Sequence, residues 1–383
     1  LKEDPLLTIV YVLIILVLIL ALFTAIGGWI GSGRLLLVTE VWYMVTLGVI
    51  GVTEGAVTLP RRVETAYHGT YGVTWQNDFA VLGEIVASDT QTVTRRMIKT
   101  TQPLSAGLRV TWNIFVYKGD PERALGLAYD DVRIPSELGP LPAWFVPGQR
   151  TTWALLVHGF HASREEGLRV LPTLAEMGFP TLLLTYRNDA GAPKSPDHLY
   201  HLGDTEWQDI EAGVRYALAH GAQDVVLYGW SMGGFMVETF LRRSSYVAQT
   251  RAVVLDAPIL DWHKAIDTQM HKLHFPHWFT YVVEWFASWR AGINFAALNY
   301  ERPPRDRITP ALLFHGTADG MVPVESSDTF AQALPGLVTY LRVNGADHTQ
   351  AWNVDPPAYE DALKAFLVRV SGPDSRGSWI SDS

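Results

Sequence analysis

A chain of 383 residues has room for a catalytic domain and a further module, and with 48% apolar and 18% charged residues it can build a large core. The net charge of −9 argues against a nucleic-acid partner, since no basic surplus is present to neutralise phosphates. The absence of cysteine excludes disulfides, a thiol nucleophile and thiolate-bound zinc.

The chain starts at Leu1 rather than Met, which suggests that residues precede it. Residues 6–26, LLTIVYVLIILVLILALFTAI, carry no charge and no polar face. As a helix they span roughly 31 Å, close to the hydrocarbon thickness of a bilayer. The run exceeds the apolar stretch of a cleavable signal peptide, although Ala25 and Gly27 resemble a cleavage site. A single-span, uncleaved anchor is therefore expected within residues 1–34. The flanking charges, Lys2 beside Glu3 and Asp4 and Arg34 at the far end, give almost no orientation signal. The expected location is a single-pass membrane protein with its catalytic domain on the extracytoplasmic side.

A second apolar stretch, residues 35–59, contains Glu40 and Glu54, both costly in hydrocarbon, and its later part is rich in glycine and β-branched residues. It reads as strand rather than as a second span. Residues 35–125 form a β-rich segment with strands expected at 71–75, 79–86, 92–97 and 108–117, and no catalytic constellation falls there. The catalytic domain is expected over 126–372, followed by a tail at 373–383. Within it WALLVHG, TLLLTY, DVVLYG, AVVLDA, ALLFHG and VTYLRV are continuous apolar runs between turn residues, as strands buried on both faces of a parallel sheet require. Helical segments at 205–220, 232–243 and 357–370 alternate with them. The expected fold class is α/β, a doubly wound, mostly parallel sheet.

Gly229-Trp230-Ser231-Met232-Gly233 follows the strand DVVLYG and opens a helix, which is the strand–turn–helix setting of a G-x-S-x-G nucleophile elbow. Its glycines are needed because a β-carbon there would collide with the neighbouring strand and helix. A serine hydroxyl needs a base, and the chain order serine, acid, histidine points to His348 in GADHTQAW and Asp319 in HGTADGMVP. Both follow strands at the same end of the sheet. Asp256 in LDAPILD, one strand earlier, is the rival acid; Asp319 is favoured because Gly316 and Gly320 expose its turn. The backbone N–H groups of Phe160, in HGF after the strand WALLV, and of Met232 are the expected oxyanion hole.

These motifs, in this order, resemble the α/β-hydrolase superfamily. ELGPLPAWFVPG, TYRNDAGAP, GDTEWQD and LDAPILDW further resemble a group of bacterial membrane-anchored α/β-hydrolases described as esterases or lipases. The resemblance implies carboxylic-ester hydrolysis through an acyl-enzyme on Ser231 and supplies no substrate; the expected activity needs no cofactor and acts on a small-molecule ester or lipid. A serine peptidase or thioesterase of the same fold is the nearest alternative, and a non-catalytic binding module a remoter one.

An insertion at 261–300 holds Phe275, Trp278, Phe279, Val282, Trp285, Phe286, Trp289 and Ile293 at helical spacing, with Thr280, Glu284 and Ser288 opposite. This stripe either packs on the core or forms an acyl-binding lid, which makes Trp278, Trp285 and Trp289, with Trp230 of the elbow, candidate substrate-binding residues. His263, His271, His274 and His277 cluster nearby without the spacing of a zinc site, so no metal is expected. Asp204 reads as a helix N-cap with Glu206 in the first turn, and Arg187-Asn188-Asp189 as either structural or pocket-lining. The anchor, far from the triad in sequence, is expected not to shape the pocket.

Overall fold

The computed structural model describes residues 5–38, 45–304 and 307–371. Its helices are α1 (Pro5–Leu36), α2 (Pro121–Leu125), α3 (Leu171–Glu176), α4 (Trp207–Ala219), α5 (Met232–Arg243), α6 (Trp262–Lys272), α7 (Trp278–Ala291), α8 (Val324–Ala333), α9 (Ala351–Val354) and α10 (Pro356–Ser371). Two sheets lie between and beside them.

The β-rich segment forms the first sheet from β1 (Thr46–Gly48), β2 (Gly51–Thr53), β3 (Ala56–Pro60), β4 (Tyr71–Trp75), β5 (Asp78–Ser88), β6 (Thr92–Thr100) and β7 (Arg109–Asn113), all paired antiparallel in the order β1-β7-β4-β5-β6-β3-β2. The expected strand at 108–117 stops at Asn113 because the Asn113 carboxamide takes over the backbone. Its Oδ1 accepts from Phe115 N at 2.9 Å and its Nδ2 donates to Tyr117 O at 3.0 Å. The stretch 35–59 supplies the end of α1 and strands β1 to β3; residues 39–44, with Glu40, lie outside the described part.

The second sheet contains β8 (Asp130–Ser136), β9 (Gly139–Val146), β10 (Thr152–Val157), β11 (Thr181–Leu184), β12 (Asp224–Trp230), β13 (Thr250–Asp256), β14 (Ala311–Gly316) and β15 (Val338–Val343), in the order β15-β14-β13-β12-β10-β11-β9-β8. The six strands from β10 onward pair in parallel, and the β8–β9 hairpin closes one edge antiparallel. Side-chain parity separates two apolar layers. Leu155, Val157, Val225 and Leu227 join α4 to α7 on one face, whereas Leu156, Val226, Tyr228 and Trp230 join Leu363, Phe366 and Leu367 on the other.

Helix α1 is long and apolar enough to cross a membrane, and its side chains from Leu6 to Ile26 are mostly exposed. It runs past the expected end at residue 26, and its last turns enter the protein, where Ser32 and Leu36 are buried. Gly28 and Gly31 permit that approach. A Cβ on either would stand 2.7 Å from side-chain atoms of α7, Phe286 and Val282 in the first case and Val283 in the second. Arg290 of α7 donates to Ser32 Oγ at 2.9 Å and to Trp29 O at 3.3 Å, and Tyr200 N donates to Leu36 O at 2.8 Å.

The insertion forms α6 and α7, and the expected stripe is split: Phe279 and Ile293 are buried as core packing requires, whereas its tryptophans are not. The side meant for solvent faces inward: Thr280 is fully buried and donates to Asp267 Oδ1 at 2.8 Å, and Glu284 lies 2.8 Å from His263 Nδ1. Trp278, Trp285 and Trp289 are 53%, 62% and 68% exposed instead. Phe279 of the stripe is buried together with Val283 and Ala287, which lie beside it. The helix starts at Trp278 rather than Phe275, after Pro276. Asp204 is not a cap either. It pairs with Arg243 at 2.6 Å, while Glu206, at the N-cap position of α4, accepts from His201 N at 2.7 Å and Gly203 N at 2.9 Å.

Candidate active site

Three loops at the carboxyl end of the parallel sheet bring Ser231, Asp319 and His348 together. Ser231 sits between β12 and α5 at φ 50° and ψ −117°, a conformation that costs a non-glycine residue energy. The surroundings hold it there. Ser231 N donates to Asp256 O at 3.0 Å, and Ile259 N donates to Ser231 O at 3.1 Å. A Cβ on Gly229 would lie 2.5 Å from Gly233 and Gly234 backbone atoms, and one on Gly233 would lie 2.2 Å from Val157 O, so both positions need glycine.

His348 Nε2 is 2.8 Å from Ser231 Oγ, and His348 Nδ1 is 2.8 Å from Asp319 Oδ2. Asp319 is more than a partner for His348. Its Oδ2 lies 3.1 Å from His315 Nε2, and its Oδ1 accepts from Met321 N at 2.7 Å and Val322 N at 2.8 Å. Burial would raise its pKa, but His348 and His315 hold it well below the ordinary 3.8. Burial would lower the pKa of His348, and the charge and hydrogen bond of Asp319, with Glu166 and Asp347 beyond, raise it above the ordinary 6.5. The rival Asp256 is differently placed. It is fully buried, accepts from Tyr359 OH at 2.9 Å, and burial raises its pKa to about 6. Its other oxygen has no hydrogen-bond partner among the described residues.

A cavity of about 570 Å³ opens over Ser231 and His348. Phe160 lines it, and Met232, buried, is the first residue of α5. The preceding amide, Gly159 N, is occupied by Glu166 Oε2 at 2.8 Å. The cavity's apolar walls include Ile259, Trp262, Ile266, Met270 and Leu273, so α6 and its flanks cover the site, whereas α7 contributes Val283. None of the four tryptophans expected to bind substrate lines the cavity. Trp230 falls on the same sheet face as Tyr228, stacks on it at 4.1 Å and points into the opposite core layer. Trp278, Trp285 and Trp289 face outward from α7. Contrary to expectation helix α1 does shape the cavity, through Gly31 and Arg34 and the adjoining Leu35.

Arg187, Asn188 and Asp189 are structural. Arg187 pairs with Asp209 at 2.9 Å, Asn188 holds Ser195 and Leu199, and Asp189 Oδ2 is 2.9 Å from His158 Nε2. Among the clustered histidines, His263 meets Glu284, and His277 meets Asp267 at 2.7 Å while stacking on His271 at 5.7 Å.

Several contributors carried no signal in the sequence. Asp347 Oδ1 accepts from His348 N at 2.8 Å and Gly320 N at 3.0 Å, which ties the histidine loop to the acid loop. Buried Arg169 donates to Thr349 O at 2.7 Å and Asn353 Oδ1 at 2.8 Å. The first sheet reaches the same loop: Asn353 Nδ2 donates to Thr70 O and Ile114 O, both at 2.8 Å, and Tyr71 OH donates to Gln350 Oε1 at 3.1 Å. Ile114 and Phe115 complete that wall of the cavity. The pairing of Glu166 with Arg169, three residues apart beside HGF, is the one local pattern that could have marked this brace.

Comparison with known proteins agrees with this architecture. Residues 48–113 match a domain of unknown function, DUF8805. An esterase from Pyrococcus furiosus superposes in one crystal form with a TM-score of 0.54 at 23% identity, covering 66% of this chain and 95% of that one. In a second crystal form it gives 0.53 at 22%, covering 67% and 97%. A thermophilic esterase from Thermogutta terrifontis aligns at 17% identity and a TM-score of 0.47, covering 63% and 100%. Comparison with curated proteins gave no match. The Prolyl oligopeptidase family model matches residues 170–372, more than half of the chain, and the chain therefore belongs to this family of serine hydrolases with the α/β-hydrolase fold.

Proposed function

We propose that the chain is a membrane-anchored serine ester hydrolase that acts through an acyl-enzyme, with Ser231 as nucleophile, His348 as general base and Asp319 as the acid that orients it. The observation that carries this reading is the continuous hydrogen-bonded chain from Ser231 Oγ through His348 to Asp319, opening into a mainly apolar cavity. His348 Nε2 takes the Ser231 proton as Oγ attacks the ester carbonyl, and Asp319 stabilises the imidazolium so formed. The backbone N–H groups of Phe160 and Met232 receive the oxyanion, a contribution of about 3 kcal/mol each. The C–O bond to the leaving group breaks and the alcohol departs with the proton from His348. Water, deprotonated by His348, attacks the acyl-enzyme, releasing the acid and restoring the Ser231 hydroxyl.

The mainly apolar walls favour an acyl chain over a peptide, whose backbone polar groups are costly to bury against apolar side chains. Helix α1 serves as the anchor. Turnover of a p-nitrophenyl acyl ester series, with Ser231→Ala as blank, tests the reading, and labelling by a fluorophosphonate tests the nucleophile alone. The family match favours a peptidase as the second reading. Cleavage of dipeptide amides without ester turnover would establish that one instead.

A further inference from the structure

Taking the ester-hydrolase reading and the anchoring role of α1 as its basis, we propose that the outward face of α7 is a lipid-docking surface and that the substrate is an acyl ester resident in the bilayer. The face is a run of Trp278, Tyr281, Trp285 and Trp289, three to four residues apart, so they share one side of the helix. Each is more than half exposed, Tyr281 at 62% among them. Large aromatic rings with a polar edge collect where membrane hydrocarbon meets water.

Position identifies the occupant. The aromatic face is continuous with the anchor, because Trp29 of α1 lies 6.1 Å from the Trp289 ring and 6.2 Å from Phe286. Helix α7 packs along α1 from Gly27, against Phe279, to Gly33, near Arg290. Those residues are about 9 Å apart along α1, and they begin where the exposed apolar run ends. One headgroup layer is about 5–8 Å thick, so a membrane-inserted α1 sets α7 at that level. The protein is acidic overall, so the contact rests on aromatic insertion rather than attraction to anionic lipid.

The same geometry defines the substrate. From Ile26, at the edge of the hydrocarbon run, to Gly31 in the cavity wall is about 7.5 Å along α1. An acyl chain moving along the anchor therefore passes from the leaflet to apolar cavity wall over about 7.5 Å. A lipid ester need not be fully transferred through water, which would expose each methylene at about 0.8 kcal/mol.

The test uses the full chain in phosphatidylcholine vesicles, with 4-methylumbelliferyl oleate in the bilayer and p-nitrophenyl butyrate in the water. The combined variant Trp278→Ser, Trp285→Ser, Trp289→Ser should lose at least about tenfold on the oleate ester and stay within about twofold on the butyrate. Vesicles containing brominated phosphatidylcholine provide a readout independent of turnover: wild-type tryptophan emission should be quenched more than that of the variant. Fluorophosphonate labelling and thermal melting establish that the variant is folded. Equal losses on both esters, or no loss on either, overturn the proposal, as does equal quenching in both proteins. Self-association in detergent that disappears in the variant would instead assign the face to a second copy and overturn the lipid contact. If wild type hydrolyses neither ester, the ester reading and the substrate class fall together, and quenching still decides the docking surface.

Discussion

Replacing Asp319 with asparagine removes charge and half of an acceptor set in one step. The carboxylate receives four donors: His348 Nδ1 at 2.8 Å and His315 Nε2 at 3.1 Å on one oxygen, and Met321 N at 2.7 Å and Val322 N at 2.8 Å on the other. An asparagine has one oxygen, so either pair must face an amide that also donates. If the amide meets the histidines, His348 is driven to the tautomer with its proton on Nε2, directed at Ser231, and can no longer act as base. If it meets the backbone, His348 keeps its tautomer but loses the charge that stabilises imidazolium. Two charge-assisted hydrogen bonds at about 1.5–3 kcal/mol each give a destabilisation of about 3–6 kcal/mol. The rate should fall by about a thousandfold or more, as loss of the orienting acid does in a serine triad. The control is Asp256→Asn, which retains an acceptor for Tyr359 OH and should stay within about tenfold of wild type. Paired measurements of kcat/KM on a short soluble ester and of urea unfolding check both numbers. If Asp256→Asn proved the more damaging, or Asp319→Asn kept activity within about tenfold, the assignment of the acid would be refuted.

Ser231→Ala and His348→Ala should each cost at least about a thousandfold in ester turnover while leaving the fold intact, measured by initial rates and circular dichroism. The acidic limb of kcat/KM should lie above the ordinary histidine value of 6.5, because activity requires neutral His348 and its pKa is raised; a rate–pH profile with the limb below that value counts against the Asp319 contact. Deleting residues 1–26 should convert stable membrane attachment into weak, reversible vesicle binding through the α7 face, measured by flotation, with turnover of soluble esters retained. Deletion through Leu36 also strips Gly31, Arg34 and Leu35 from the cavity and buried Leu36 from the core, so it should lower turnover of soluble esters of every chain length.

The sheet was legible because strands buried on both faces leave continuous apolar runs, and the elbow because its glycines are sterically required. Chain order and strand ends likewise made Ser231, Asp319 and His348 legible as one group. The orientation of α7 was not. Its aromatic stripe has the period of a core-facing helix, yet Thr280 and Glu284 find partners on α6, and the core contact falls to Val283, Ala287 and only Phe279 of the stripe's residues within α7. Trp230 was misread because the elbow was treated as a turn. Its strand parity with Tyr228, which sends it away from the cavity, follows from β12 extending through Trp230 itself. The walls at Gly31 to Leu35 and at Ile114 and Phe115 are tertiary juxtapositions with no local pattern. Asp204 followed the usual capping preference and lost to a carboxylate, Glu206, that reaches back to the preceding turn.

The bonds that tie the first sheet to the histidine loop join residues far apart in the chain. Asn353 meets Thr70 across 283 positions and Ile114 across 239, and Tyr71 meets Gln350 across 279. Contacts of such separation close late, because a long stretch of chain must first be ordered between them. During synthesis the sheet from β1 to β7 emerges before any residue of the triad, and it must wait for segment 347–353 before its Thr70 and Ile114 carbonyls gain these partners. Until that segment docks, Ser231 lacks its proposed base. A nascent chain that ends before this segment therefore holds Ser231 and Asp319 without the third member of the group, since His348 is the last of the three to be synthesised.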